Sequence, residues 1–442
     1  MIIQFKNRTK ELSEIKEVLE SDDFELIIFY GRRRVGKTEL ILNSTKATNR
    51  IYYLAVGENN LKRFYDRCSS QFPEVLKLKQ DWEVLFDFLK EKVDVIIIDE
   101  FQNLISEDKN ILNIYQSIID SDLKDSKMKL FFLGSSISMI QSNLLSYKSP
   151  LYGRRTGSMQ IKPVSFFDMN KFFPDKSMGE LAKIYGFSDG IPFYLVRIDD
   201  EFWKWLSEEI KKQRSFLKDE IDFMLRYEFE DVSTYKLVLE AIANQKTKLS
   251  EIKDYIKVKR TDLSPYLSNL IQVGLIKRIV PITENEKSRL GRYYLSDNFL
   301  KFWFRFIYPN LSYIEEQSLS INSIKRDYDS YMGFIFENIC TQYIKKTRMK
   351  KYTKIGNWWH KDNEIDIIAL DEDSKKIMFS ECKWKDNVDA KKILSELKSK
   401  KIHVRWNNET RKEHYIIFAK SFSIKTDEAE CIDLDDMKKL MI

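Results

Sequence analysis

The chain has 442 residues, 43% of them hydrophobic and 32% charged, with a net charge of +6; at ~100–200 residues per domain it holds two to four packed cores and is too apolar for disorder. Its four cysteines (Cys68, Cys340, Cys382, Cys431) show no CxxC spacing, and it has only three histidines (His360, His403, His414), which argues against a zinc framework, a disulfide scaffold or histidine-rich catalysis. No apolar run approaches the ~20 residues that span a bilayer and the N-terminus lacks a leader pattern, so a cytoplasmic protein without membrane contact is expected.

The first informative element is "FELIIFY", residues 24–30, an apolar run without helical period that reads as a buried parallel strand. It runs into "GRRRVGKTE", after which the apolar spacing changes to that of a helix. The pattern G-x-x-x-x-G-K-[ST] therefore sits where its chemistry needs it, between strand and helix. Gly31 and Gly36 allow the close backbone approach that turns N–H groups toward phosphate oxygens. The positive end of the following helix faces the same anion. Arg32, Arg33, Arg34, Val35 and Glu39 complete the cofactor-binding stretch, with the arginine side chains able to point away from the phosphates. Lys37 is expected to neutralise the β- and γ-phosphates, and Thr38 to ligate Mg2+.

A second apolar strand, "VDVIIIDEFQNL" (residues 93–104), ends at Asp99-Glu100. That puts carboxylates at the carboxyl edge of the same sheet, Asp99 for Mg2+ and Glu100 as general base toward the attacking water. A third, "KLFFLGSSISMI" (residues 129–140), ends with Ser135 placed to sense the γ-phosphate. In "SPLYGRRTG", Arg154 and Arg155 are either transition-state arginines, in cis or in a neighbouring site, or partners in surface ion pairs.

From residue 233 the chain reads as three short helices, "YKLVLEAIANQ", "LSEIKDYI" and "TDLSPYLSNLIQVGLI", the third capped by Thr261, then two strands about "PITENEKSRLGRYYLSD". Three helices and a hairpin add up to a winged helix, a frequent DNA reader and equally usable as an internal spacer. Lys257, Lys259, Arg260, Lys277, Arg278, Lys287, Arg289 and Arg292 surround it. Residues 233–300 carry 12 Lys/Arg against 7 Asp/Glu, and residues 343–425 carry 21 against 12. Positive charge is thus concentrated in the C-terminal half, where it would draw a polyanion or simply be solvated. The run "DNFLKFWFRFIYPN" reads as core. Beyond it comes a helix carrying Glu337, then "GNWWHKDNEIDIIALDEDSKKIMFSECKWKD", read as two strands about a turn. Glu364, Asp366 and Ile368 alternate along the first; Glu381 and Lys383 share a face of the second, with Cys382 opposite. Asp366 and Glu381, with Glu337 as a further ligand, could clamp Mg2+ while Lys383 positions a water. They could equally form cross-strand ion pairs.

The segments "FKNRTKELSEIKEVL", "GRRRVGKTELI", "IIIDEFQNL", "LGSSISMI", "SPLYGRRTG" and "PVSFFD" resemble, in order, the archaeal-type ATPases among the AAA+-related signal-transduction ATPases. The resemblance implies ATP with Mg2+ as cofactors, hydrolysis, and a homo-oligomer on activation. "YGFSDGIPFYL" resembles that group's helical lid, with Pro192 near the nucleotide; Asp189 stands where a second glycine is common. Asp366, Glu381 and Lys383 with the helix of Glu337 resemble the PD-(D/E)XK nuclease core, Ile365 standing at the proline of that motif's name. The expected chain is an α/β multidomain protein. It comprises a P-loop NTPase with a parallel sheet (1–175), a helical lid (176–228), a winged helix (229–310) and a restriction-endonuclease-like α/β domain (311–442), with DNA as partner. The alternative is a non-cleaving, ATP-dependent DNA-binding or protein-interaction regulator with a degenerate nuclease domain.

Overall fold

A computed structural model describes residues 6–199, 201–257, 262–348 and 351–441. Thr261, Lys259 and Arg260, assigned above to a cap and a basic surface, lie outside the described residues. The chain divides into two compact units, one of residues 1–163 with 272–274, the other of 164–271 with 275–442.

The first unit is built on five parallel strands: β1 (Glu25–Tyr30), β2 (Arg50–Leu54), β3 (Val95–Asp99), β4 (Lys129–Gly134) and β5 (Gly157–Gln160), in spatial order β2-β3-β4-β1-β5. The strands read as unbroken apolar runs because both faces are covered. Leu26, Ile28, Ile96, Ile98, Leu130 and Phe132 enter one core, beside Phe64, Phe86 and Tyr115. Their neighbours Ile27, Phe29, Val95, Ile97, Phe131 and Leu133 enter the other, beside Ile15, Leu40 and Ile41. With a side-chain period of two, one run of β-branched and aromatic residues serves two helix layers. Parallel strands also bring the ends of β1, β3 and β4 to one edge, where ligands of such sheets bind.

The second unit opens with helices Met178–Ser188, Phe202–Lys211 and Glu220–Glu228. Phe187 is the hub of their packing, with Trp205 at 5.2 Å and Phe302 at 5.0 Å between ring centroids, both edge-on. The hydroxyls of Tyr328 and Tyr331 donate to the Lys183 and Gly186 carbonyls at 2.6 Å, fastening the 28-residue helix Ile321–Arg348 to this group. Three helices, Ser233–Ala243, Leu249–Ile256 and Ser264–Gln272, precede an antiparallel hairpin of β6 (Ile276–Ile279) and β7 (Arg292–Leu295).

The C-terminal strands are β8 (Lys354–His360), β9 (Asn363–Asp371), β10 (Lys376–Lys383), β11 (Val388–Asp389), β12 (Lys412–Ala419), β13 (Phe422–Ile424) and β14 (Glu430–Ile432). Five form a mixed sheet ordered β14-β12-β10-β9-β8, antiparallel across β8, β9 and β10 and parallel across β10, β12 and β14. The sequence reading drew two strands where there are three. "GNWWH" pairs with β9 through a tight turn in which Lys361, at φ 52°, takes a left-handed conformation without a glycine or asparagine to announce it. On β12, Phe418 faces Tyr343 of the long helix while Ile417 packs with Leu394 of helix Ala390–Lys401. The sheet is thus covered on both faces.

Candidate active site

In the first unit, β1 ends at Tyr30 and the chain turns sharply before helix Lys37–Ser44. The glycines are required by space and by backbone angle. A Cβ on Gly31 would lie 2.3 Å from the Ile161 carbonyl oxygen, and Gly36 sits at φ 88° as the N-cap. Val35 is fully buried beneath the turn, its carbonyl accepting from Arg8 Nη2 at 2.9 Å, while Arg8 Nη1 pairs with Glu11. Arg8 is thus a loop-bracing residue that the sequence reading passed over. Arg32, Arg33 and Arg34 are half-buried, less free than surface decoration would be, and Glu39 is exposed.

The Lys37 ammonium is buried and donates to the carbonyls of Gly31 (2.8 Å) and Arg32 (3.2 Å). Burial lowers its pKa, against the pull of Glu100 and Asp99, and the nearby Arg33 lowers it further. Thr38 Oγ1 donates to Asp99 Oδ2 at 2.5 Å, joining the start of the helix to the end of β3, and the Tyr52 phenol donates to the same oxygen at 3.0 Å. Burial, then Asp99, pushes the Tyr52 phenol up. A hydroxyl beside a carboxylate is the kind of donor set that Mg2+ takes, directly or through its waters, since it binds few protein oxygens beside phosphate.

Glu100 follows at φ 52°, a left-handed angle uncommon for any residue but glycine. Its carboxylate accepts from Ser135 Oγ and Gln102 Nε2, and Asp99 Oδ1 accepts from the Glu100 N–H at 2.8 Å. Ser135 and Gln102 are both buried. The sequence-predicted Ser135 therefore touches Glu100, and Gln102 is an addition whose only signal was its place in "DEFQNL". Of the two readings of Arg154, the structure contains the ion pair: Nε and Nη2 grip Asp120 at 2.8 and 2.7 Å, a bidentate contact that fixes the guanidinium. Arg155 lies over the Tyr152 ring at 5.2 Å. Pro192 belongs to the second unit, as the first residue of helix Pro192–Leu195.

Residues 5–198 match the model of an ATPase domain predominantly from Archaea, and residues 303–393 match a family described as "Archaea bacterial proteins of unknown function". An uncharacterised protein of Methanocaldococcus jannaschii is 48% identical over 443 residues, covering 98% of this chain and 99% of its own. The chain belongs to the same family as this protein, and its N-terminal part is an ATPase domain of the archaeal type. An uncharacterised ATP-binding protein of the same organism is 20% identical over 313 residues, 67% of this ATPase and 78% of the relative. The Walker-type ATPase of Pyrococcus abyssi shares the fold, with 22% identity and a TM-score of 0.52 over 68% of this ATPase and 96% of that chain. Among the described residues no helix is long and apolar enough to cross a membrane.

The ATPase carries a second polar cluster on β9 and β10. Glu381 is buried, yet both its oxygens are taken: Oε2 accepts from Lys383 Nζ and Oε1 from Lys400 Nζ, each at 2.6 Å. Lys383 Nζ also lies 4.0 Å from Asp366 Oδ2, which accepts from the Cys382 N–H at 2.8 Å. Asp366 is pushed up to about 6, by burial first and by Glu381 second. Burial would lower Lys383, but Glu381 and Asp366 outweigh it and raise the ammonium. Burial, then Asp366, pushes Glu337 on the long helix well above the usual carboxylate range. Among the described residues no three His, Cys, Asp or Glu side chains form a group that could hold a metal ion. The expected trio of Glu337, Asp366 and Glu381 is therefore no preformed cage; Asp366 and Glu381 supply two carboxylates, which suits Mg2+ only when a phosphate completes the shell. Lys400 was missed because it reaches Glu381 from a helix that follows the strand in sequence.

Proposed function

We propose that nucleotide turnover in the first unit is a switch for DNA binding or Mg2+-dependent DNA cleavage at the C-terminal sheet. In this reading residues 31–39 bind ATP, Lys37 neutralises its outer phosphates, and Ser135 reads the γ-phosphate. Glu100 takes the proton of the attacking water, held in place by Gln102 and Ser135. Mg2+ held by Thr38 and Asp99 would supply neutralisation of phosphate charge. Pro192 reports the nucleotide to the lid of residues 176–228, residues 229–310 form a winged helix, and residues 311–442 a restriction-endonuclease-like domain.

The observation that carries the DNA half is the convergence of Asp366, Glu381 and Lys383 across two paired strands, with Lys383 within 2.6 and 4.0 Å of the two carboxylates. Lys383 would position a water against a scissile phosphate, and Asp366 and Glu381 would ligate Mg2+ there. Parallel incubation of wild type, Asp366→Ala and Lys383→Ala with duplex, nicked and single-stranded DNA in Mg2+ tests it. Strand breaks lost in both variants support cleavage; no breaks on any DNA form with the wild type reject it. The second reading, a regulator that binds DNA and cuts none, is favoured by one feature: both oxygens of Glu381 are already neutralised by lysines.

A further inference from the structure

A cleft of about 400 Å3 opens beside Asp366, walled by the β6–β7 hairpin, by β8 and the start of β9, and by one face of the long helix. Two cross-strand pairs of the hairpin line it, Lys277 opposite Tyr294 and Ile279 opposite Arg292. The helix presents Phe334, Glu337, Thr341 and Lys345, whose spacing of three, seven and eleven residues stacks them along one stripe. Two bonds hold the hairpin's long connection against β8: Trp359 Nε1 donates to the Leu290 carbonyl at 3.1 Å, and the Ile282 N–H donates to the Asn357 carbonyl at 3.0 Å. The hairpin is thereby a wall of the cleft.

The cations of this cleft differ in kind. Arg292 is neutralised by Glu364 and lies over the Trp359 ring at 4.6 Å. Among the described residues Lys277, Lys301 and Lys345 have no carboxylate within ion-pair distance, and Lys301 donates to Asn298 Oδ1 at 3.5 Å. Lys277 is solvent-exposed, but into the cleft, where surrounding protein strips its hydration and pushes the ammonium down to about 8, with Lys301 and Lys345 adding repulsion. Lys301 and Lys345 repel Lys277 while Asp189 pulls on both Lys277 and Lys301, and an anion bound in the cleft would relieve the repulsion that remains. Beside them Phe334 is 44% exposed, an aromatic face at the cleft wall.

A cationic groove with aromatic platforms suits a single nucleic-acid strand, whose phosphates take the lysines and whose bases stack. The volume is that of a site for one compact ligand, ~300–1,000 Å3, and a duplex does not enter it. We propose that this cleft binds single-stranded DNA, with phosphates on Lys277, Lys301 and Lys345 and a base against Phe334, leading the strand past Glu337 to Asp366. This rests on the reading of the C-terminal sheet as a DNA-processing site.

Anisotropy of a fluorescein-labelled oligonucleotide, alone or as a blunt duplex, titrated with full-length protein in EDTA, measures binding with cleavage suppressed. The single strand should bind about tenfold more tightly than the duplex. Lys277→Gln with Lys345→Gln should weaken it about tenfold and flatten the salt dependence of log K by about 1.4. The corresponding arginine pair should retain binding, and Phe334→Ala should cost about tenfold through lost stacking; thermal unfolding midpoints matched to wild type certify the fold of each variant. Equal or tighter duplex binding, an unchanged salt slope in the glutamine pair, or tighter binding of an RNA strand of the same sequence overturns the proposal. Binding as described with no cleavage in Mg2+ rejects the nuclease reading and leaves the cleft standing. Duplex cleavage with no single-strand binding does the reverse.

Discussion

Both clusters of the protein set a lysine among carboxylates, and they set it differently. Lys37 is buried against backbone carbonyls, its proton affinity lowered by burial, with Asp99 and Glu100 pulling the other way. Lys383 touches a carboxylate at 2.6 Å, its affinity raised by that contact. In the first arrangement Asp99 accepts from Thr38 and Tyr52 and Glu100 from Gln102 and Ser135, while Lys37 donates to backbone carbonyls rather than to either carboxylate. In the second the charges neutralise one another, and Glu381 is shared between two lysines. On the proposed reading an added phosphate would meet Lys37 without displacing a carboxylate, whereas a cation at the C-terminal sheet would compete with Lys383 and Lys400 for Glu381.

Substitutions can break this contrast. The largest effect is expected from Glu100→Gln, which keeps an acceptor for Gln102 and Ser135 but removes the proposed base: ATP should still bind while steady-state phosphate release falls by about 10^2–10^4. Unimpaired hydrolysis would reassign the base. At the second cluster, Asp366→Asn isolates the electrostatic cost of the pair. A carboxyl that titrates near 6 when folded and at its ordinary 3.8 when unfolded binds more protons in the native state between those values, so native stability falls as pH rises through that window. The asparagine variant should therefore melt a few degrees higher than wild type at pH 7.5, with the difference fading as pH drops from 6 toward 4. A lower midpoint at pH 7.5 would mean that Asp366 is stabilised by Lys383 more than it is burdened by Glu381. The smallest effect is expected from Arg154→Ala. As a half-exposed ion pair with Asp120 it should cost about 0.2–1 kcal/mol in a denaturant titration and leave kcat unchanged. A fall in kcat of about 10^3 would instead make it a transition-state arginine.

The first cluster was legible because its parts are contiguous: Gly31 to Thr38 lie on one turn, and a strand ending in Asp99-Glu100 can only deliver acids to the sheet edge. What escaped was contributed by side chains reaching across the fold. Tyr52 meets Asp99 from the neighbouring strand, Arg8 braces Val35 from before the first helix, and Gln102 returns to Glu100. None of these has a periodicity or a spacing of its own. In the C-terminal half, alternation placed Glu381 and Lys383 on one face correctly, yet β8 was merged with β9 because the left-handed position of the turn is taken by Lys361, with no glycine to mark it. The partnership of Glu381 with Lys400 depends on how helix Ala390–Lys401 crosses the sheet, which local pattern does not encode. The Arg32–Arg34 run, expected to be able to point away from the phosphates, is half-buried in a turn where Arg34 takes φ 69°.

The central claim is that nucleotide in the first unit governs DNA at the C-terminal sheet. Its most direct test measures DNA binding and strand scission by wild type and Lys37→Ala, each with and without ATP and Mg2+. The account predicts that ATP changes the DNA response of the wild type and that Lys37→Ala, which loses hydrolysis by on the order of 10^2-fold or more, shows the same DNA response with or without nucleotide. A wild-type DNA response indifferent to ATP, or a Lys37→Ala protein that still follows ATP, would contradict it.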